Sequence, residues 1–133
     1  MGRKIIIDSN VLVALYKADD STHDRAVETA RSLHDDGDIF IALNLVVQET
    51  ATVISMKAGQ KEAREFYQKR LSVIDQEITL DDDLEKLSWN IFLRQNKKGT
   101  SFVDCANLAL FEKYKLDGIL SFDKFYPNSV LVK

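Results

Sequence analysis

The chain has too few cysteines for a disulfide and too few prolines and glycines for a linker. Of its 133 residues one is cysteine (Cys105), one is proline (Pro127) and five are glycine. A lone cysteine closes no internal bridge, and with only two histidines beside it nothing is spaced like a zinc-ligand cluster. That usage fits a reducing cytoplasm. No apolar run is long enough to cross a membrane. Arg3 and Lys4 before an apolar stretch do not make a signal peptide, because Asp8, Ser9 and Asn10 interrupt it after three residues. Excess positive charge is missing too: 18 basic against 21 acidic residues give a net charge of −3. Any nucleic acid must therefore be met by a local patch or a metal rather than by an overall basic field.

What is present is a compact, foldable chain. Its 45% hydrophobic content and its length suit one domain, residues 1–133, with a proper core. Ile5, Ile6 and Ile7 show no alternation, so both faces of that segment are buried, as in a central strand of a parallel sheet. The pattern then predicts a short helix over 11–16 and a helix capped by Ser21 with Ala26, Val27, Ala30 and Leu33 on its apolar face. His23 and His34 fall off that stripe and read as surface residues. A strand over 38–42 follows, then a helix over 45–58 capped by Asn44 and closed by Gly59. A charged helix over 61–71 is anchored by Phe66 and Tyr67, its charges facing solvent. Val73, Ile74 and Ile78 suggest a third strand. Asp81 to Asp83 start a helix with Leu84, Leu87 and Ile91 at helical spacing, and Trp89 and Phe92 fill the core or a dimer face. Ser101 caps a helix over 102–115 with Val103, Ala106, Leu110 and Tyr114 as core positions. Strands over 119–122 and 130–132 complete the pattern. Strands separated by helices imply a three-layer α/β/α fold with a central parallel sheet of four to five strands.

Asp8 ends the first strand. Taken alone, a helix cap and a site residue are equally good readings of it. In a doubly wound fold the crevice lies beyond the carboxyl ends of the strands, where the helix N-termini also lie. Glu49 and Asp104 sit early in their helices, and Asp123 follows the fourth strand. From Asp104 to the helix end is about 16 Å, and the return along the strand is roughly 13 Å. Asp104 and Asp123 therefore come back to nearly one level. Four carboxylates on one edge repel one another and raise each other's pKa. They make sense around a hard divalent cation, Mg²⁺ or Mn²⁺ rather than zinc. With Ser9 or Asn10 taking the capping duty, Asp8 is free to face the crevice.

The stretch Ile5-Ile6-Ile7-Asp8-Ser9-Asn10-Val11-Leu12, Glu49, Ser101-Phe102-Val103-Asp104 and Ser121-Phe122-Asp123-Lys124-Phe125 occur in the order and spacing of a PIN domain. Over essentially the whole chain the sequence resembles that family, and most of all its single-domain VapC-type toxins. The resemblance implies an Mg²⁺- or Mn²⁺-dependent endoribonuclease, usually homodimeric, often held inactive by a small antitoxin. It implies Asp8, Glu49, Asp104 and Asp123 as the acidic metal and catalytic site, with Asn10, Ser101 and Ser121 in support. One departure is Phe125, which stands where many relatives carry another acid two residues after the one matching Asp123.

Blander readings remain beside these. Asp104 and Glu49 are individually ordinary helix acids, and Cys105 reads as a small core residue rather than a nucleophile. Lys97 and Lys98 either keep a loop soluble or contact RNA phosphates. A phosphorelay receiver has similar length and fold, but Asp8 lacks the adjacent acid it would need. A housekeeping nuclease and a non-catalytic RNA- or protein-binding module of the same fold complete the alternatives.

Overall fold

The structure is a computed structural model and describes residues 2–132. Four parallel strands, β1 (Lys4–Ile7), β2 (Ile39–Leu43), β3 (Gln76–Ile78) and β4 (Gly118–Leu120), form a sheet in the order β3-β2-β1-β4. The helices are α1 (Ser9–Tyr16), α2 (His23–Asp35), α3 (Asn44–Ala58), α4 (Gln60–Lys69), α5 (Asp82–Leu93) and α6 (Phe102–Tyr114). They pack in two groups, α1 with α2 and α3 and α3 with α4, and α5 with α6, giving the expected α/β/α arrangement. Ile5, Ile6 and Ile7 are fully buried, as a two-sided inner strand demands. The chain steps from β1 outward to β2 and β3, then returns to place β4 on the other side of β1. That reversal puts the topological switch point between β1 and β4.

Several elements differ from the sequence expectation for local reasons. Asn44 is already inside α3, and its side-chain oxygen accepts the N–H of Leu80 at 2.9 Å, so it ties a loop rather than caps a helix. Thr22, not Ser21, precedes α2, and Asp20 takes its N–H and hydroxyl in a tight turn. Residues 70–72 form a 3-10 turn, so β3 begins only at Gln76. The expected fifth strand reduces to one bridge, Ile119 to Leu131, with backbone bonds from Ile119 N–H to Val130 O and from Val132 N–H to Ile119 O. Tyr114 is exposed rather than core, and Leu87 is partly so. His23 is half-buried and meets the Ala14 carbonyl at 2.7 Å, whereas His34 is exposed. Trp89 packs against Phe92 and Phe102 while remaining 43% exposed. In α4 only Ala63 and Phe66 are buried, in keeping with a solvated charged face. Cys105 is buried and free.

The far end of the sheet from the switch point is fixed by Asp38. Its buried carboxylate accepts from the Arg3 backbone N–H at 3.0 Å and from the Arg3 guanidinium at 3.0 Å. The Arg3 hydrogen bond holds the Asp38 carboxyl below its usual range against the opposing effect of burial. A depressed folded pKa stabilises the fold above the unfolded value, near 3.9, and is lost as pH falls through the folded one. Asp38→Asn is therefore expected to cost about 1–2 kcal/mol at pH 7, the pair being half open to solvent at Arg3. In urea titrations the difference from wild type should shrink as the pH is taken below 4.

Candidate active site

Strand register builds the site. Ile7 pairs with Leu120, so the next residues, Asp8 and Ser121, leave the sheet side by side. The Asp8 N–H bonds the Leu120 carbonyl at 3.0 Å, and the Ser121 hydroxyl donates to Asp8 Oδ2 at 2.8 Å. Asp8 Oδ1 also accepts the Ser9 N–H at 2.8 Å, at the start of α1. The expected division of labour, with Ser9 or Asn10 capping and Asp8 freed, is therefore not what the chain does. One carboxylate caps α1 and faces the crevice at once. Ser9 instead donates its hydroxyl to Glu49 Oε1 on α3. Asn10 spans β1 and β4, donating to the Ser121 hydroxyl at 3.1 Å and accepting the Phe122 N–H at 3.1 Å. Ser101 caps α6 by accepting the Asp104 N–H at 3.4 Å, which sets Asp104 in the first turn. The Asp123 N–H bonds the Ser121 hydroxyl at 3.0 Å, leaving the Asp123 side chain at the exposed rim.

Two further residues join this network. The Tyr126 hydroxyl lies 3.2 Å from Asp8 Oδ2 and 3.1 Å from Asp104 Oδ1, fully inside the protein. Asn107, with no solvent exposure, donates to the Tyr126 oxygen at 3.0 Å and to Asp8 Oδ1 at 3.3 Å. Its Oδ1 has no partner among the described residues. Turning the amide over would satisfy neither acceptor and would set an oxygen against the Asp8 carboxylate. Asn107 follows Asp104 by three residues on one helix, so i,i+3 spacing alone places both on one face and was a readable signal. Tyr126 lies in a loop, where no periodicity marks it.

The electrostatics are those of crowded like charges. Burial pushes the Asp8 carboxyl above its ordinary range, opposed by hydrogen bonds from Ser121, the Ser9 N–H and Tyr126. Burial, followed by the charges of Asp8 and Asp123, pushes Asp104 up to about 7. Burial and the charges of Asp8 and Asp104 keep the Tyr126 phenol protonated, so its one hydroxyl proton is shared between the two carboxylates within its reach. Among the described residues no ion pair to a lysine or arginine compensates Asp8, Glu49, Asp104 or Asp123. Lys97, Lys98 and Lys124 line a hollow of about 130 Å³ beside Asp104 and Asp123 without pairing to them. An all-oxygen, mutually repelling, cation-free donor set matches a hard divalent ion in kind. The carboxylates are joined through hydroxyls, however, and among the described residues no three Asp, Glu, His or Cys side chains already form a group that could hold a metal ion.

A parallel sheet in this order, with acids gathered at its switch point, is the architecture of a PIN domain. The PIN domain model matches residues 5–127, and the chain belongs to that family. Over 119 residues it is 27% identical to the 23S rRNA-specific endonuclease VapC20 of Mycobacterium tuberculosis, covering 90% of this chain and 88% of that one. The crystal structure of Mycobacterium tuberculosis VapC20, a sarcin-ricin loop cleaving toxin, superposes with a TM-score of 0.81 at 25% identity over 96% of each chain. The crystal structure of VapBC2 from Rickettsia felis, bound to a DNA fragment from their promoter, matches with a TM-score of 0.67 at 13% identity over 97% of each chain, a likeness of fold.

The raised Asp104 pKa has a definite sign in stability. Its folded value lies above the unfolded one near 3.9, so the protonated form is favoured in the fold and stability falls as pH rises from about 4 to about 7. In metal-free protein at pH 8, Asp104→Asn is expected to raise the melting temperature by several degrees, and to change it little at pH 4; equal shifts at both would count against the crowding. Tyr126→Phe should instead lower metal-free stability by about 1–2 kcal/mol in urea titrations, because two buried carboxylates and Asn107 lose a partner.

Proposed function

We propose that this chain is a divalent-metal-dependent endoribonuclease that hydrolyses RNA phosphodiester bonds, and that it is the toxin of a toxin–antitoxin pair. The observation that carries the reading is the uncompensated acidic edge, Asp8, Glu49, Asp104 and Asp123, set at the switch point of a PIN-domain sheet. In this reading those four carboxylates hold Mg²⁺ or Mn²⁺. The chemistry such an ion supplies is activation of a water and stabilisation of the leaving oxygen. The chain's own residues do the rest. Ser121 and Asn10 fix Asp8 and Asp123 relative to β4, and Ser9 holds Glu49. Ser101 sets Asp104 at the start of α6. Burial of Asp8 and Asp104 keeps competing water from the carboxylates, which strengthens their pull on a cation. Lys97 and Lys98 line the hollow beside Asp104 and Asp123, and in this reading they contact backbone phosphates of the RNA.

The toxin assignment draws on the names of the relatives: VapC20 is described as an rRNA endonuclease and a toxin. By that analogy the protein works in the cytoplasm as a homodimer restrained by a small antitoxin. Among the described residues no helix is long and apolar enough to cross a membrane.

Asp104→Asn should reduce Mg²⁺-dependent RNA cleavage to background while circular dichroism shows an intact fold; retained cleavage would sink the assignment of the acids. Mg²⁺ or Mn²⁺ at about a hundred times its Kd should stabilise the wild type by about 2.7 kcal/mol, since only the folded state binds it, and should stabilise Asp104→Asn far less. Expression should arrest growth, with rescue by a small neighbouring gene product; active protein that leaves growth untouched would favour a housekeeping nuclease.

A further inference from the structure

Two hollows flank the acidic edge, and they differ in size and in wall. The one beside Asp104 and Asp123 is narrow, about 130 Å³, and carries Lys97, Lys98 and Lys124. The other, on the Glu49 side, measures about 450 Å³ and is walled by Phe122, Val13 and Val53, with Lys57 and Asp20 among its polar lining. It is continuous with the acids, because Ser9, Asn10 and Glu49 line it as well. Its aromatic wall is held firmly. The Phe122 N–H is bonded to Asn10, and the Arg25 guanidinium of α2 lies over the Phe122 ring, 4.4 Å from its centroid.

We infer that this larger hollow receives a nucleobase of a single-stranded RNA, next to the phosphate held at the acidic edge, stacked on the ring of Phe122. The inference rests on the nuclease reading above and goes on to say how the substrate lies. An RNA strand crossing the acids can turn its phosphates toward one flank and a base toward the other. The narrow, lysine-lined flank suits a phosphate. The wide flank offers what a base uses: an aromatic ring in Phe122, aliphatic floor from Val13 and Val53, and both an acceptor and a donor at its polar lining in Asp20 and Lys57. Stacking accepts any base, whereas Asp20 and Lys57 can favour some base edges over others, so sequence preference at this nucleotide would be set here. The net charge of −3 makes the asymmetry more telling, since the chain has no general attraction for RNA and depends on local features such as these.

The test uses a short single-stranded oligoribonucleotide, drawn from a random-sequence pool because the wild-type protein cuts it, with 2-aminopurine placed at successive positions. Binding is read by anisotropy and fluorescence quenching with Asp104→Asn, which retains the hollow. Quenching is expected at one position beside the cut bond. Adding Phe122→Leu should abolish that quenching and weaken binding about tenfold, while adding Phe122→Tyr, which keeps the ring, should preserve both. Lys98→Ala should weaken binding to all positions alike and reduce its salt dependence. Quenching and affinity unchanged by Phe122→Leu, with wild type still cutting, would overturn the base site and leave the nuclease reading standing. Equal losses in the Leu and Tyr variants would also overturn it, marking Phe122 as structural. If wild type cuts nothing in the pool, the nuclease reading falls and the base site with it.

Discussion

The pairing of β1 with β4 is the constraint on which the acidic edge depends. Both strands end at the same level because Ile7 stands opposite Leu120, and parallel strands carry their next residues out in the same direction. Asp8 and Ser121 are thus neighbours by register before any side chain is considered. A slip of one residue would turn Asp8 into the sheet and an isoleucine into the crevice. The polar ends of the run guard against that slip, because it would draw Lys4 or Asp8 into the apolar interior, so residues 4–8 specify the core and the site together.

Around that register the protein gathers charge that it does not neutralise. Asp8 caps α1 and is hydrogen-bonded on both oxygens, and still it and Asp104 are pushed toward protonation. Elsewhere in the molecule the chain pairs its buried acid conventionally, as Asp38 with Arg3 shows. The contrast is informative because both carboxylates are almost wholly shielded, yet only one has a cation. Local strain of this electrostatic kind is what a fold tolerates at a working site and avoids in its framework.

The framework was largely legible in the sequence because it rests on periodicity. The isoleucine run, the glycine stops and the caps at Asp81 and Ser101 mark their elements through local physics, and the helix–strand return of about one level brings Asp104 near Asp123. What periodicity cannot show is long-range pairing of polar groups. Asn44 looks like a cap and is engaged with Leu80, thirty-six residues away. Asp8 looked like a choice between cap and crevice, and the structure refuses the choice. Tyr126 was invisible for the same reason. Its partners, Asp8 and Asp104, lie 118 and 22 residues distant, and its loop carries no pattern. The nearby Phe125 drew notice as a missing acid, while the next residue brings a hydroxyl to both buried aspartates.

The segment 130–132 has a consequence at the border of the sheet. By bonding to both the N–H and the carbonyl of Ile119 it occupies the outer rim of β4, and Gly118 permits the approach: a methyl group there would meet Val132 Cγ2 at 2.6 Å. The opposite border, β3, is three residues long and presents Gln76 and Glu77 to solvent. One rim is thus shielded by the chain itself and the other is short and charged, two devices by which sheet proteins discourage accretion of further strands. Borders of this kind keep a sheet from growing strand by strand from copy to copy.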